Sequence, residues 1–112
     1  MNEELPVIAK AYELAREMTR RTRKFPRDLR FVLGDRLLAT TYDVLDTLLE
    51  AKYTRVRRAL LDRANLLLER LRFHVRLCQE EQLITVKQYE YLSAQIQETG
   101  AMLGGWRKAV KE

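Results

Sequence analysis

Residues 63–78, RANLLLERLRFHVRLC, decide how this chain folds. At about 100° per residue with Leu60 at zero, Leu60, Ala64, Leu67, Leu71, Val75 and Cys78 fall within about 60° of zero, and Leu61 and Leu68 widen that seam to about 100°. One such seam seats a helix in its own core. Leu66, Phe73 and Leu77, with Ala59 beside them, fall elsewhere, between about 220° and 260° on the same wheel, and Arg63 and Arg70 border them. The helix therefore carries two separated apolar stripes, and large exposed apolar patches are rare on monomers. Self-association would cover the second stripe, since an aromatic and aliphatic patch rimmed by arginine is what oligomer interfaces use. The alternative is an irregular bundle in which that stripe packs on a neighbouring helix.

Outward from this stretch the pattern stays helical. Leu5, Ile8, Tyr12, Ala15, Thr19 and Thr22 alternate by threes and fours, which predicts a first helix over about residues 4–24. Pro26 excludes the helical conformation at Phe25 and suits the first turn of a new helix. A second helix is expected over residues 27–51, with Leu29, Leu33, Leu37, Thr40, Val44, Leu48 and Ala51 inward and Asp35, Asp43, Asp46 and Glu50 outward. The third is placed at residues 54–82 with Thr54 as N-cap. The fourth, residues 86–110, has the clearest start, because Thr85-Val86-Lys87-Gln88 fits a capping box. Its seam is read as Tyr89, Leu92, Ile96, Gly100, Leu103 and Val110, which leaves Tyr91, Met102 and Trp106 to the oligomer interface. Gly100, Gly104 and Gly105 each cost a helix about 1 kcal/mol relative to alanine, so a close backbone approach is expected there.

Four amphipathic helices on short connections are most simply an all-α, up-down-up-down four-helix bundle, here one domain spanning residues 1–112. The length suits a single core, and four glycines and two prolines leave little to interrupt the helices. No apolar run reaches the roughly 18 residues of a membrane span, and the start of the chain has no basic, apolar leader, so the default reading is cytoplasmic with no membrane partner. The single Cys78 excludes an internal disulfide.

The net charge is +5, and 15 of the 21 basic residues are arginine, whose planar fork matches phosphate better than lysine's point charge. Residues 1–27 carry a net +3 and residues 52–82 a net +4, whereas 28–51 carry −3. Arg16, Arg20 and Arg23 share one face of the first helix, with Arg27 just beyond it. Arg58, Arg72 and Arg76 share a face of the third. Phosphate backbone is the natural partner for such clusters, with a salt-sensitive affinity. A solvated basic face, partly paired with Glu13, Glu17 and Glu69, is the competing explanation, and the acidic second helix offers a surface to a basic protein.

Catalytic chemistry is not legible. His74 and Cys78 stand four apart, but a structural zinc takes four ligands and no other histidine or cysteine exists. Ser93 is the only serine, and nothing pairs it with His74 as a base. No glycine-rich loop precedes a helix to cradle phosphate. No enzyme activity, cofactor or metal is expected.

Residues 71–108, LRFHVRLCQEEQLITVKQYEYLSAQIQETGAMLGGWRK, resemble the C-terminal half of the accessory variability determinant proteins of diversity-generating retroelements. The likeness lies in Leu71-Arg72-Phe73 with Arg76-Leu77, the capped turn into Gln88-Tyr89, and Gly100 with Met102-Leu103-Gly104-Gly105-Trp106. Upstream, Pro26-Arg27 and Leu33-Gly34-Asp35-Arg36-Leu37 extend it to about residues 5–110. That family is similar in turn to the four-helix proteins encoded by intervening sequences of bacterial large-subunit ribosomal RNA genes, which Phe25-Pro26 would also suit; Gly-Gly-Trp favours the retroelement branch. The resemblance implies a homopentameric barrel that binds nucleic acid, RNA or DNA, and associates with the element's error-prone reverse transcriptase in mutagenic retrohoming. The alternatives are the ribosomal intervening-sequence type and a pure protein-interaction scaffold.

Overall fold

The computed structural model describes residues 4–111, with side chains from residue 6, and these described residues form four helices and no strand. Helix α1 is Glu4–Thr22. Helix α2 is continuous through three pieces, Arg27–Leu29, a π-helical turn Arg30–Gly34, and Asp35–Lys52. Helix α3 is Arg58–Glu80 and helix α4 is Val86–Ala109. Each helix packs on the next in sequence and α4 closes back on α1, with the α1–α4 seam the most sparsely packed of the four. The result is an up-down-up-down bundle of 44 × 23 × 18 Å. None of the described helices is long and apolar enough to cross a membrane.

Local chemistry explains the ends. Phe25 and Pro26 terminate α1: the amides of Lys24 and Phe25 donate to the Arg21 and Thr22 carbonyls, and Pro26, at φ −52° and ψ 146°, starts α2 where its missing N–H costs nothing. Gly34 is buried where α2 crosses this corner, and a Cβ there would sit 3.4 Å from the Arg30 side chain and 3.5 Å from the Phe25 ring. The start of α4 is fixed by the expected capping box, in which Thr85 Oγ1 accepts from the Gln88 amide at 3.0 Å and Gln88 Oε1 accepts from the Thr85 amide at 2.8 Å.

The core is a column of large apolar side chains, among them Met18, Leu48, Leu61, Leu71, Leu92, Ile96 and Leu103. Burying each such side chain is worth about 1.5–3 kcal/mol. Five buried threonines interrupt the column, and the hydroxyls of Thr22, Thr40, Thr41 and Thr99 donate to carbonyls of their own helices, which lets them be buried at little cost.

Several sequence expectations need correction. On α1 the buried positions are Val7, Ala11, Leu14, Ala15, Met18 and Thr22. Ala15 and Thr22 of the expected seam are buried and Ile8 and Thr19 partly so, but Tyr12 is exposed and Ala11 takes its inward place, while Leu5 lies outside the residues whose side chains are described. On α2 the π turn inserts extra backbone, so Leu29 and Leu33 are only half-buried and the inward run begins at Gly34 and Leu37. Thr54 does not cap α3: its hydroxyl donates back to the Glu50 carbonyl at 2.6 Å, and Arg57 occupies the cap position with no side-chain capping bond, its Nε donating instead to the Thr54 carbonyl at 3.1 Å.

Trp106 is not a surface residue. It is 3% exposed and belongs to the core, in a seam Leu92, Ile96, Thr99, Leu103, Trp106 that repeats by four and three. Met102 packs partly against the same core. Nothing lies within 4 Å of where a Cβ would stand on Gly100, Gly104 or Gly105, so these glycines permit no close backbone approach within the subunit.

Candidate oligomer and nucleic-acid surfaces

The second stripe of α3 lies on the outside. Leu66 is 52%, Phe73 57% and Leu77 42% exposed, while Ala64, Leu67, Leu71, Val75 and Cys78 on the same helix are buried. Arg63 and Arg70 border the stripe and are exposed. Tyr91, grouped with it in the sequence reading, is exposed on α4 but faces α1, in a cleft with Leu14, Arg16 and Arg20; α4 therefore separates it from the α3 stripe.

Antiparallel packing gathers most of the arginines at one end. There α1 finishes, α2 begins, α3 finishes and α4 begins. Arg16, Arg20, Arg23 and Arg27 come from the first side of this end and Arg72 and Arg76 from the other, all exposed. Arg58 does not join them. It stands at the far end of α3, 14 residues and so about 21 Å of helix from Arg72, and its guanidinium donates to the Arg107 carbonyl at 3.2 Å.

Two sets of clefts flank the first half of α4. On the α3 side, Arg72 and Arg76 line a cleft of about 240 Å³ with Glu69, Phe73 and Tyr89. Arg76 pairs with Glu80 at 3.2 Å and Arg72 stands 3.9 Å from Glu69; both are exposed i,i+4 or i,i+3 pairs that a polyanion can displace cheaply. On the α1 side a cleft of about 280 Å³ holds Arg16, Arg20 and Tyr91, and one of about 190 Å³ holds Arg20, Arg21 and Lys24. Both are also lined by Glu17. Its carboxylate sits 2.7 Å from Arg20 and 2.8 Å from Arg21. Burial works against its charge, but the hydrogen bond from Arg20 and the charges of Arg21 and Arg20 outweigh it and hold the carboxyl below its ordinary range. Glu17 thus stays ionised and fixes two guanidinium groups along the seam. Sequence patterning found Arg16 and Arg20 but not the tyrosines beside them; the signal was there in Tyr89 and Tyr91, which two-residue spacing sends to opposite sides of one helix.

His74 is half-buried on the α2 side of α3, with no hydrogen-bond partner on Nδ1 among the described residues. Burial, then the charges of Arg36 and Arg70, lower its pKa from 6.5. The unfolded chain therefore takes up a proton at a pH where the folded chain does not, so stability falls as the pH drops through the ordinary imidazole range and levels off below the folded value. Melting temperatures of the native protein should decline between about pH 7.5 and 5.5, and the decline should be shallower in His74→Gln. Equal slopes would show that other groups set it. Burial pushes the Cys78 thiol up to about 11, which leaves it protonated and unreactive at neutral pH. Among the described residues no cluster of three or more His, Cys, Asp or Glu side chains could hold a metal.

Comparison with curated proteins gives no match. Among solved structures, the bundle superposes with a TM-score of 0.87 on a protein of unknown function from the S23 ribosomal protein family of Bacteroides thetaiotaomicron, at 19% identity, over 96% of this chain and 100% of that one. At that identity the likeness shows the fold alone. The family is fixed by the sequence model that matches residues 7–110, nearly the whole bundle including both arginine-bearing helices and the Gly-Gly-Trp turn of α4: the chain belongs to the bAvd-like family of accessory variability determinant proteins.

Proposed function

We propose that this protein is a non-catalytic, cytoplasmic accessory subunit of a diversity-generating retroelement, a basic homo-oligomer that binds nucleic acid and the element's reverse transcriptase and so supports mutagenic retrohoming. The observation that carries the reading is the outer face of α3: an apolar stripe of Leu66, Phe73 and Leu77 left open to solvent, bordered by Arg63 and Arg70, on a chain of the bAvd-like family. A stripe of this kind is covered by copies of the same subunit, and closure of a ring, for which the family resemblance implies five copies in a barrel, covers it on every subunit at once. The arginines gathered at one end of each subunit then form a basic rim for RNA or DNA, and the acidic face of α2 is left for a protein partner.

Binding of labelled RNA and DNA across a salt series tests the nucleic-acid role. Affinity should fall steeply with salt. Replacing Arg16, Arg20, Arg72 and Arg76 by glutamine should flatten the logarithmic slope by about one unit per arginine that contacts phosphate. Absence of binding at low salt would leave a protein-interaction scaffold. The fold shared with an S23-family protein favours one second reading, a four-helix protein of the ribosomal RNA intervening-sequence type. A reverse-transcriptase gene and template repeat beside this gene would decide for the retroelement.

A further inference from the structure

The seam between α1 and α4 is the most sparsely packed in the bundle, and it holds two clefts that adjoin at the paired Glu17 and Arg20 side chains. From Glu13 to the end of α1 the groove spans roughly 13 Å of helix. Its α1 wall carries Arg16, Arg20 and Arg21, with Lys24 just beyond the helix end, against the carboxylates of Glu13 and Glu17. Tyr91 projects into it from α4, 47% exposed, and the Arg21 guanidinium lies over its ring, 5.6 Å from the centroid. Arg21 is itself held by Glu17 at 2.8 Å. The ring thus meets a fixed cation of the α1 wall while part of its surface remains exposed, and Arg16 and Arg20 stand on that same wall.

We propose that this groove is a track for single-stranded nucleic acid, with Tyr91 as the platform on which an unpaired base stacks and Arg16 and Arg20 holding the phosphates on either side of it. The inference rests on the nucleic-acid reading above and narrows it. A positively charged groove with an aromatic ring set in it is the arrangement that binds single strands without regard to sequence, because every base has a π-face. A duplex cannot use the ring, since its bases are already stacked on one another, and it meets only the arginines. Arg21, reaching over the ring from the α1 wall, holds the platform by a cation–π contact and leaves the rest of the ring surface for a base.

The test compares four probes of equal length by fluorescence anisotropy at low salt: single-stranded oligo-dT, oligo-U, an abasic single strand that keeps only sugars and phosphates, and a DNA duplex. The native protein should bind the base-bearing single strands more tightly than the duplex. Tyr91→Ala should weaken oligo-dT and oligo-U binding roughly five- to a hundred-fold, the range of one lost base–aromatic stack, and leave the abasic strand and the duplex unchanged. Tyr91→Phe, which keeps the ring, should bind like the native protein. Because Tyr91 is exposed, the alanine variant opens no core, and an unchanged melting temperature checks this. Equal loss on the abasic strand, no loss on any strand, or a change in oligomer mass in Tyr91→Ala would overturn the platform while leaving salt-sensitive binding in place. No binding of any probe would overturn the nucleic-acid reading itself.

Discussion

Leu66→Asp/Phe73→Asp should be a folded monomer under conditions where the native protein is an oligomer. Both side chains are more than half exposed in the subunit, so neither change removes core packing. Each new carboxylate can also meet an arginine of its own helix, Asp at 66 reaching Arg63 and Arg70 and Asp at 73 reaching Arg70 and Arg76, which supports the isolated helix by a few tenths of a kcal/mol per pair. The assembled state is where the penalty falls. An interface that buried these two side chains would have to bury two carboxylates instead, and stripping water from a charge costs several kcal/mol even after relaxation. At about 1.4 kcal/mol per decade of affinity, the subunits should separate at micromolar concentration. Light scattering or native mass spectrometry should report one subunit's mass with unchanged helical circular dichroism. A native protein that is monomeric at that concentration, or a double variant with the native mass, would show that α3 is not the contact.

The two stripes of α3 were legible because leucine dominates both, and at helical spacing leucines on opposite sides of a wheel cannot both face one core. The capped start of α4 was legible for a different reason: Thr85 and Gln88 satisfy backbone donors locally, so no tertiary contact is needed to fix the boundary. What failed was phase. On α1 the expected seam placed Tyr12 inward, whereas Val7, Ala11, Leu14 and Met18 are buried beside its Ala15 and Thr22; a ring at helical spacing reads as core, yet its hydroxyl end is served by water. On α2 the phase failed only at the π turn and before it: Leu29 and Leu33 are half-buried, whereas Leu37, Thr40, Val44, Leu48 and Ala51 are buried as expected. The start of α3 has no side-chain cap to read. Arg58 shares a wheel angle with Arg76, yet 18 residues of helix separate them, and a wheel has no axial coordinate. The arginine end of the bundle came from chain topology, which the antiparallel order of the helices determines.

Trp106→Ala should cost about 3–5 kcal/mol, a large share of the roughly 5–15 kcal/mol by which a domain is stable. The argument starts from the α4 seam. Leu92, Ile96, Thr99, Leu103 and Trp106 follow one another by four and three and are all buried, but threonine at 99 reads as polar and conceals that Trp106 continues the inward line. The indole is 3% exposed near the end of α4, where the Arg57 guanidinium lies over its ring at 5.8 Å and the Arg58 guanidinium donates to the neighbouring Arg107 carbonyl. The ring therefore fastens the end of α4 to the start of α3, a helix start that has no side-chain cap of its own. Removing it leaves a cavity that backbone on both sides is needed to fill. The melting temperature should fall by on the order of 10–20 °C, and Trp106→Phe, which keeps most of the apolar volume, should recover a large part of the loss. As the sole tryptophan it also reports on itself: its emission should be that of a buried indole in the folded protein and shift to the red on unfolding in urea. The contrast with the α3 stripe separates the two roles. Leu66→Asp/Phe73→Asp should change mass and leave the fold, whereas Trp106→Ala should melt the fold in the monomer as well; a Trp106→Ala protein that keeps its melting temperature and loses only its oligomeric mass would return the indole to the surface.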